Sequence, residues 1–316
     1  MSSIKWFHDI DLLPNPNLLE HDSKVFLIGS CFTENISKKL SYVGVQNMSN
    51  PFGIVYNPYS ILRQVRLIAG QDTWTKAYYE ADGLVKNFLF HSELNQKTRN
   101  EYETQVSSKI GDAKQFIETA NTICISYGTA WVYEDPEIGV VANCHKRSSK
   151  SFVKRFLGIE ELRNINRELI ELLKSINPQI DIVFTLSPIR HLKDGVIENS
   201  KSKATLLTAI HLCLGEDQVN YFPSYELMID VLRDHRFYKS DLIHPSDEAI
   251  EFIWEKFKFY KFSQPASDKM KRVVLLRKRL SHKAFQEDTA EHQAFLTETK
   301  HALGNIKAEM PYLNLD

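Results

Sequence analysis

Short apolar runs rich in β-branched residues alternate with helical patterns, and this alternation limits what the chain can fold into. Four runs read as buried strands: "KVFLIG" (24–29), "NTICISYG" (121–128), "DIVFTLSP" (181–188) and "QVNYFP" (218–223). "GVQNMS" (44–49) is a fifth candidate. Continuous apolar character over so few residues fits parallel strands covered on both faces. Between the runs, Phe32, Ile36, Leu40 and Val43 share one helical face, as do Leu162, Ile165, Leu169 and Leu172, and Ala249, Ile253, Trp254 and Phe257. Strand alternating with helix predicts βαβ units, a parallel sheet and right-handed crossovers. Ligands of such sheets bind beyond the carboxyl ends of the strands.

Two segments lie outside this rhythm. Asn50 to about Thr119 is long for one connection, and "NPYSILRQVRLIAG" and "NEYETQVSSKIGDAKQFIETA" predict helices within it. Elaborated connections at a strand's carboxyl end often build a binding site. Beyond Phe262, "SQPASD" reads as a linker, followed by the basic "KMKRVVLLRKRLSHKAF" and a second helical pattern carrying Leu296, Leu303, Ile306 and Met310. The chain thus divides into a main domain, 1–262, and a helical C-terminal extension, 263–316, able to pack on the main domain or to join subunits into a homo-oligomer. A basic amphipathic helix could also meet a membrane surface or an acidic partner.

Composition excludes several classes. The formal net charge of −1 over 316 residues gives no basic field for nucleic acid. No run approaches the roughly 18 apolar residues of a transmembrane segment, and the N-terminus has no apolar core of a signal peptide. Cys31, Cys124, Cys144 and Cys213 are scattered, without the spacing of a disulfide framework or zinc site. A cytoplasmic protein with reduced thiols and no cofactor or metal is expected.

The chemistry gathers at two places. "IGSCF" puts Ser30 and Cys31 where an expected strand gives way to a helix, among the unpaired N–H groups of the helix start. Such donors can stabilise an oxyanion. Ser30 alone would as readily be a helix cap, and Cys31 a small buried hydrophobe or itself a nucleophile. The second place is "SDLIHPSDEAIEFIWEKF", where Asp241 and His244 stand three apart and can meet on one turn. A carboxylate on one ring nitrogen fixes the tautomer and frees the other to serve as a base. Pro245, Ser246, Asp247 and Glu248 then read as a capped helix start. No G-x-S-x-G elbow and no P-loop occurs.

Nucleophile first and D-x-x-H last is similar to the order in the SGNH or GDSL hydrolase superfamily. Within it, "GSCFTEN" and "NPFGIVYNP" resemble the GSCFA family, and "YGTAWVYED", "NCHK", "LSPIRH", "NSKSKATL", "YFPSYELMIDVLRDHRFY" and "DLIHPS" follow in the family's order. The resemblance spans about 24–262, with Thr33 where the family has alanine. It implies a three-layer flavodoxin-like sandwich with a five-stranded parallel sheet. It also implies Ser30 as nucleophile, His244 as base and Asp241 as its orienter. The oxyanion hole would be the N–H of Ser30, the N–H of Gly53 and a third donor. No G-x-N-D supplies that donor, which leaves Thr129 or Asn143. His145, Lys146, Arg190 and His191 would line the substrate pocket, with Arg190 holding an anionic group or pairing with a structural acid. The adjacent Cys144 and His145 point apart on an extended segment and make a poor catalytic pair. His91 reads as a loop histidine. The function implied is a serine esterase removing an acyl group, acetyl for example, from a carbohydrate or other small ester. The alternatives are an acyltransferase with a sugar hydroxyl as acceptor, and a non-catalytic binding module.

Overall fold

The computed structural model describes residues 9–282 and 289–313. In chain order its elements begin β1 (Lys24–Gly29), α1 (Cys31–Tyr42), β2 (Gln46–Ser49), α2 (Pro58–Ile68), β3 (Tyr78–Ala81), β4 (Leu84–Asn87), α3 (Arg99–Thr119) and β5 (Thr122–Tyr127). There follow β6 (Trp131–Asp135), β7 (Gly139–Val141), β8 (Val153–Phe156), α4 (Ile159–Ile176), β9 (Asp181–Leu186), α5 (Val196–His211) and β10 (Val219–Tyr221). The chain ends with a helical turn α6 (Ser224–Glu226) that runs into a π-helical stretch, then α7 (Asp247–Lys261), α8 (Gln264–Leu280) and α9 (Ala290–Glu309).

Five strands form one parallel sheet in the order β10-β9-β5-β1-β2. Taken by their order in the chain, this is the doubly wound 2-1-3-4-5 arrangement, whose switch point lies between β1 and β5. The pleat sends alternate side chains to opposite faces. Phe26 and Ile28 join the core under α2, α3, α4 and α5. Val25 and Leu27 join the core under α1, α7 and α8. These two helical layers around the sheet are the expected sandwich. Each fully buried Val, Ile, Leu or Phe in them contributes about 1.5–3 kcal/mol.

Three features depart from the sequence reading. First, "SQPASD" is no linker. Ser263 caps α8 by accepting the N–H of Ala266 at 3.1 Å, and Pro265 sits in the first turn, where its missing N–H costs nothing. Ala266 and Met270 complete the core above α7, so α8 is packed directly on the main domain. Second, the connection from β2 to β5 contains the hairpin β3–β4 besides its two helices. Third, the chain between β5 and α4 forms a separate antiparallel sheet, β7-β6-β8. Among the described residues no helix is long and apolar enough to cross a membrane.

Candidate active site

The turn after β1 is built by close approach. Gly29 has φ +132°, and a Cβ there would stand 2.1 Å from the carbonyl oxygen of Ser126 at the end of β5. Only glycine fits. The N–H of Gly29 donates to Asn50 Oδ1 at 2.8 Å, and Asn50 Nδ2 donates to Thr33 Oγ1 at 3.0 Å. Thr33 Oγ1 in turn donates to the Ser30 carbonyl at 2.7 Å. The hydroxyl by which this chain differs from the motif's alanine therefore ties the turn to the loop after β2.

Ser30 is the N-cap of α1. It is fully buried. Its Oγ accepts the N–H of Phe32 at 3.3 Å and lies 2.9 Å from Ser126 Oγ. Its own N–H donates to the Ser126 carbonyl at 3.1 Å. Cys31 is the first residue of α1 and is half-buried. Burial pushes its thiol above the usual value, opposed by the N–H groups of Cys31 and Phe32 and by the charge of Lys203.

The second element is a closed loop before α7. Lys239 N–H donates to the His244 carbonyl at 2.7 Å, and Ser246 N–H to the Phe237 carbonyl at 2.7 Å. Leu242 inside it has φ +58°, a left-handed conformation rare for leucine. Asp241 Oδ1 accepts the N–H groups of Ile243 at 2.9 Å and His244 at 3.0 Å, and Oδ2 meets His244 Nδ1 at 2.6 Å. These donors, the His244 N–H first and its ring next, bring the Asp241 carboxyl down to about 2. It stays ionised and fixes the His244 tautomer, and Nε2 has no hydrogen-bond partner among the described residues. Both side chains are nearly half exposed, 44% and 49%. Ser246 then caps α7 by accepting the N–H of Ala249 at 3.3 Å.

No hydrogen bond joins Ser30 to His244 among the described residues. His191 feels the charge of His244. It packs edge-on against Tyr56 with ring centroids 5.1 Å apart, and Tyr56 feels the charge of Cys31. Burial lowers His191 to about 4, and its Nε2 is buried without a partner.

Beside these residues opens a cleft of about 480 Å³ with Tyr56, Asn57, Trp131, Tyr133, Asn143 and His191 in its wall. Ser30, Cys31 and His244 are not in that wall. The long connection after β2 contributes Tyr56 and Asn57, as expected of it. The antiparallel insertion contributes Trp131, Tyr133 and Asn143, which sequence reasoning placed in no sheet. The oxyanion donors are disposed otherwise than the resemblance implies. Gly53 N–H is given to the Asn50 carbonyl at 2.8 Å, and Ser30 N–H to Ser126. Thr129 Oγ1 accepts the Trp131 N–H at 3.1 Å and lies 3.3 Å from Ser202 Oγ. Asn143 Oδ1 accepts the His145 N–H at 2.8 Å, and no acceptor takes its amide NH₂ among the described residues.

His145 and Lys146 line a neighbouring pocket of about 610 Å³, which shares Asn143 and His91 with the cleft. Cys144 lies in the cleft wall and His145 in that second pocket, so the two do not meet. Nε2 of His145 meets the Asn87 carbonyl at 2.7 Å. Arg190 pairs with no acid among the described residues and stacks 4.9 Å above the Tyr238 ring. His91 caps a 3-10 turn and meets Glu93 at 3.1 Å.

Lys203 of α5 was not anticipated, since nothing marks a single lysine in a helical run. It is 2% exposed. Its Nζ donates to the Ser187 carbonyl at 2.7 Å, it couples to the charge of Cys31, and burial lowers it to about 7.

The GSCFA family matches residues 24–257, and the family described as GSCFA domain protein, C-terminal domain, matches residues 275–316. No curated protein matches the sequence. Among solved structures, a carbohydrate esterase family 3 protein from Talaromyces cellulolyticus is similar at 9% identity and TM-score 0.38, covering 79% of this chain and 98% of its own. An acetyl esterase variant crystallised with acetate ion is similar at 10% identity and TM-score 0.37, with the same coverage. Neither likeness bears on the chemistry.

Proposed function

The chain belongs to the GSCFA family, and from that premise we propose that it is an acyl-ester hydrolase of SGNH type. An acyl-enzyme forms on Ser30, His244 acts as general base, and Asp241 orients and stabilises the imidazolium. The observation that carries the reading is the Asp241–His244 pair at 2.6 Å, its carboxylate anchored by two further N–H groups and its Nε2 without a hydrogen-bond partner among the described residues. A surface ion pair needs no such anchoring, whereas a base that must present one nitrogen does.

The substrate is a small ester with a hydroxyl-rich alcohol such as a sugar. Tyr56, Trp131 and Tyr133 stand in the cleft wall together with Asn57 and Asn143. Aromatic faces with a few directional polar groups suit a ring that carries hydroxyls. When the acyl-enzyme is attacked by a second sugar hydroxyl instead of water, the same groups perform acyl transfer. The test is turnover of a panel of short acyl esters, acetylated sugars among them, by the native chain and by His244→Ala. Turnover that depends on His244 supports the reading. Absence of turnover across the panel, or an unaffected variant, overturns it. Product analysis with added sugar separates hydrolysis from transfer.

A further inference from the structure

We propose that the pocket beside the cleft is a subsite for an anionic group, phosphate or carboxylate, carried by the alcohol part of the substrate. The word substrate rests on the ester reading above, whereas the anion site stands on the pocket itself.

Lys86, Lys146 and Arg147 stand in the wall of this pocket of about 610 Å³, against a single carboxylate, Asp82, among the described residues. Asp82 is already engaged, since Lys86 Nζ donates to its Oδ2 at 2.7 Å. His91, also in the wall, meets Glu93 at 3.1 Å. Arg147 pairs with no carboxylate among the described residues, and its guanidinium lies 5.4 Å from the centre of the Phe88 ring and 5.7 Å from that of Tyr79. Lys146 likewise pairs with none and is exposed. A concavity with an excess of one charge concentrates that charge's field and draws in the opposite ion.

The cations are placed there by the backbone. His145, Lys146 and Arg147 are consecutive, yet all three line the pocket. On an extended segment, neighbours point to opposite faces. The chain departs from that by turning left-handed at His145, φ +46°, and at Lys146, φ +63°. Residues other than glycine hold such angles only where their surroundings enforce them. Three contacts do so here. The His145 N–H donates to Asn143 Oδ1 at 2.8 Å, the Arg147 N–H donates to the Cys144 carbonyl at 2.9 Å, and His145 Nε2 donates to the Asn87 carbonyl at 2.7 Å. Lys86, on β4, is 7% exposed, so its ammonium is held as well. Ring contacts restrict Arg147, which reduces the freedom it loses when its planar fork closes on two anionic oxygens.

Asn143 and His91 stand in the walls of both the pocket and the cleft, so a ligand in one adjoins the other. The aromatic cleft suits a sugar ring, and the pocket suits a charged substituent on it. The Arg147 fork matches two oxygens of a phosphate or a carboxylate, and Lys146 adds a point charge. An acylated sugar phosphate or sugar acid uses both spaces, whereas an acylated neutral sugar uses the cleft alone.

The test has two arms. In the first, titration calorimetry of the native chain at low ionic strength compares glucose 6-phosphate, glucuronate and glucose. At least one anion should bind tenfold or more tighter than glucose, and the better anion tells phosphate from carboxylate. The double variant Lys146→Gln/Arg147→Gln should lose about tenfold or more of that preference. Equal affinity for all three compounds, no binding of either anion, or a preference that survives in the variant overturns the proposal. The second arm measures kcat/KM for the acetyl esters of the same compounds. The ratio of anionic to neutral ester should fall in the variant by about the same factor, and a ratio is insensitive to how much of the variant is folded. An unchanged ratio with active protein overturns the subsite and leaves the ester reading standing. Anion binding that depends on Lys146 and Arg147, with no ester turned over, keeps the anion site and overturns the ester reading.

Discussion

Asp241 holds His244 from two sides: Oδ2 meets the ring Nδ1 at 2.6 Å, and Oδ1 takes the same residue's backbone N–H at 3.0 Å. One carboxylate thus fixes both where the imidazole is and which nitrogen it presents. With the carboxyl brought down to about 2, Asp241 is ionised across the whole range in which an imidazole titrates. The pair should therefore behave as one catalytic unit. Asp241→Asn should lower kcat by about 10²–10⁴, on the scale of other orienting carboxylates. His244→Ala should remove nearly all turnover with little change in substrate binding. The double variant should be scarcely worse than His244→Ala alone. A double variant whose loss is the product of the two single losses would show that the residues act independently.

Lys203 gives a pH prediction with a definite sign. In the unfolded chain its amine keeps a proton up to 10.5, whereas in the folded chain burial lowers it to about 7. Between these values the unfolded state binds more protons, so this group makes stability rise with pH. Lys203→Met lacks that slope. Melting temperatures measured at about pH 7 and pH 9 should therefore rise more, or fall less, in the native chain than in the variant. Parallel shifts in the two proteins would show that Lys203 is charged at both pH values.

The sheet was legible because its signals are local. "KVFLIG", "NTICISYG" and "DIVFTLSP" each announce a buried strand by composition alone, and each is one. Asp241, His244 and Ser246 were legible for the same reason, since their partners lie within three residues. The hairpin β3–β4 carried its own signal in Asp82-Gly83, both with positive φ, which a reading for helices in that connection passed over. "SQPASD" carried one as well, a cap followed by proline in the first turn, masked by its polar composition. The burial of Ser30 was not legible. It depends on Ser126, 96 residues away, and no spacing rule reports whether a hydroxyl at a strand end faces the cleft or the neighbouring strand. Lys203 was hidden likewise, because its isolation from carboxylates is a property of the packed core.

The tail follows from the corrected linker. Ala266 and Met270 belong to the core that contains Phe257 and Phe262, and His21 Nδ1 lies 3.0 Å from Tyr312 Oη near the chain's end. Deleting residues after Phe262 uncovers that core. The truncated chain should melt lower by several degrees or more, each lost core side chain being worth about 2 kcal/mol. None of the residues proposed to act in catalysis lies in the deleted part. The fraction that remains folded at low temperature should therefore keep most of its esterase activity. Equal melting temperatures for the two chains would show that α8 adds nothing to the core.

Gly29 tests the turn itself. It has φ +132°, and its missing Cβ is where the Ser126 carbonyl passes, at 2.1 Å. Gly29→Ala must either push β1 and β5 apart or rotate the turn, because backbone cannot give as a flexible side chain does. Both the left-handed strain and the overlap act against the fold, and together they should cost more than about 2 kcal/mol. Any rotation also moves the Ser30 N–H off the Ser126 carbonyl and displaces the Ser30 hydroxyl. Activity per folded molecule should therefore fall about 100-fold, as expected when reacting groups are displaced by an ångström. Urea denaturation gives the stability and ester turnover at a fixed folded fraction gives the rate. A Gly29→Ala chain that unfolds more easily but turns over at the native rate when folded would separate the turn from the chemistry, and the site would have to be sought elsewhere on the sheet's carboxyl edge.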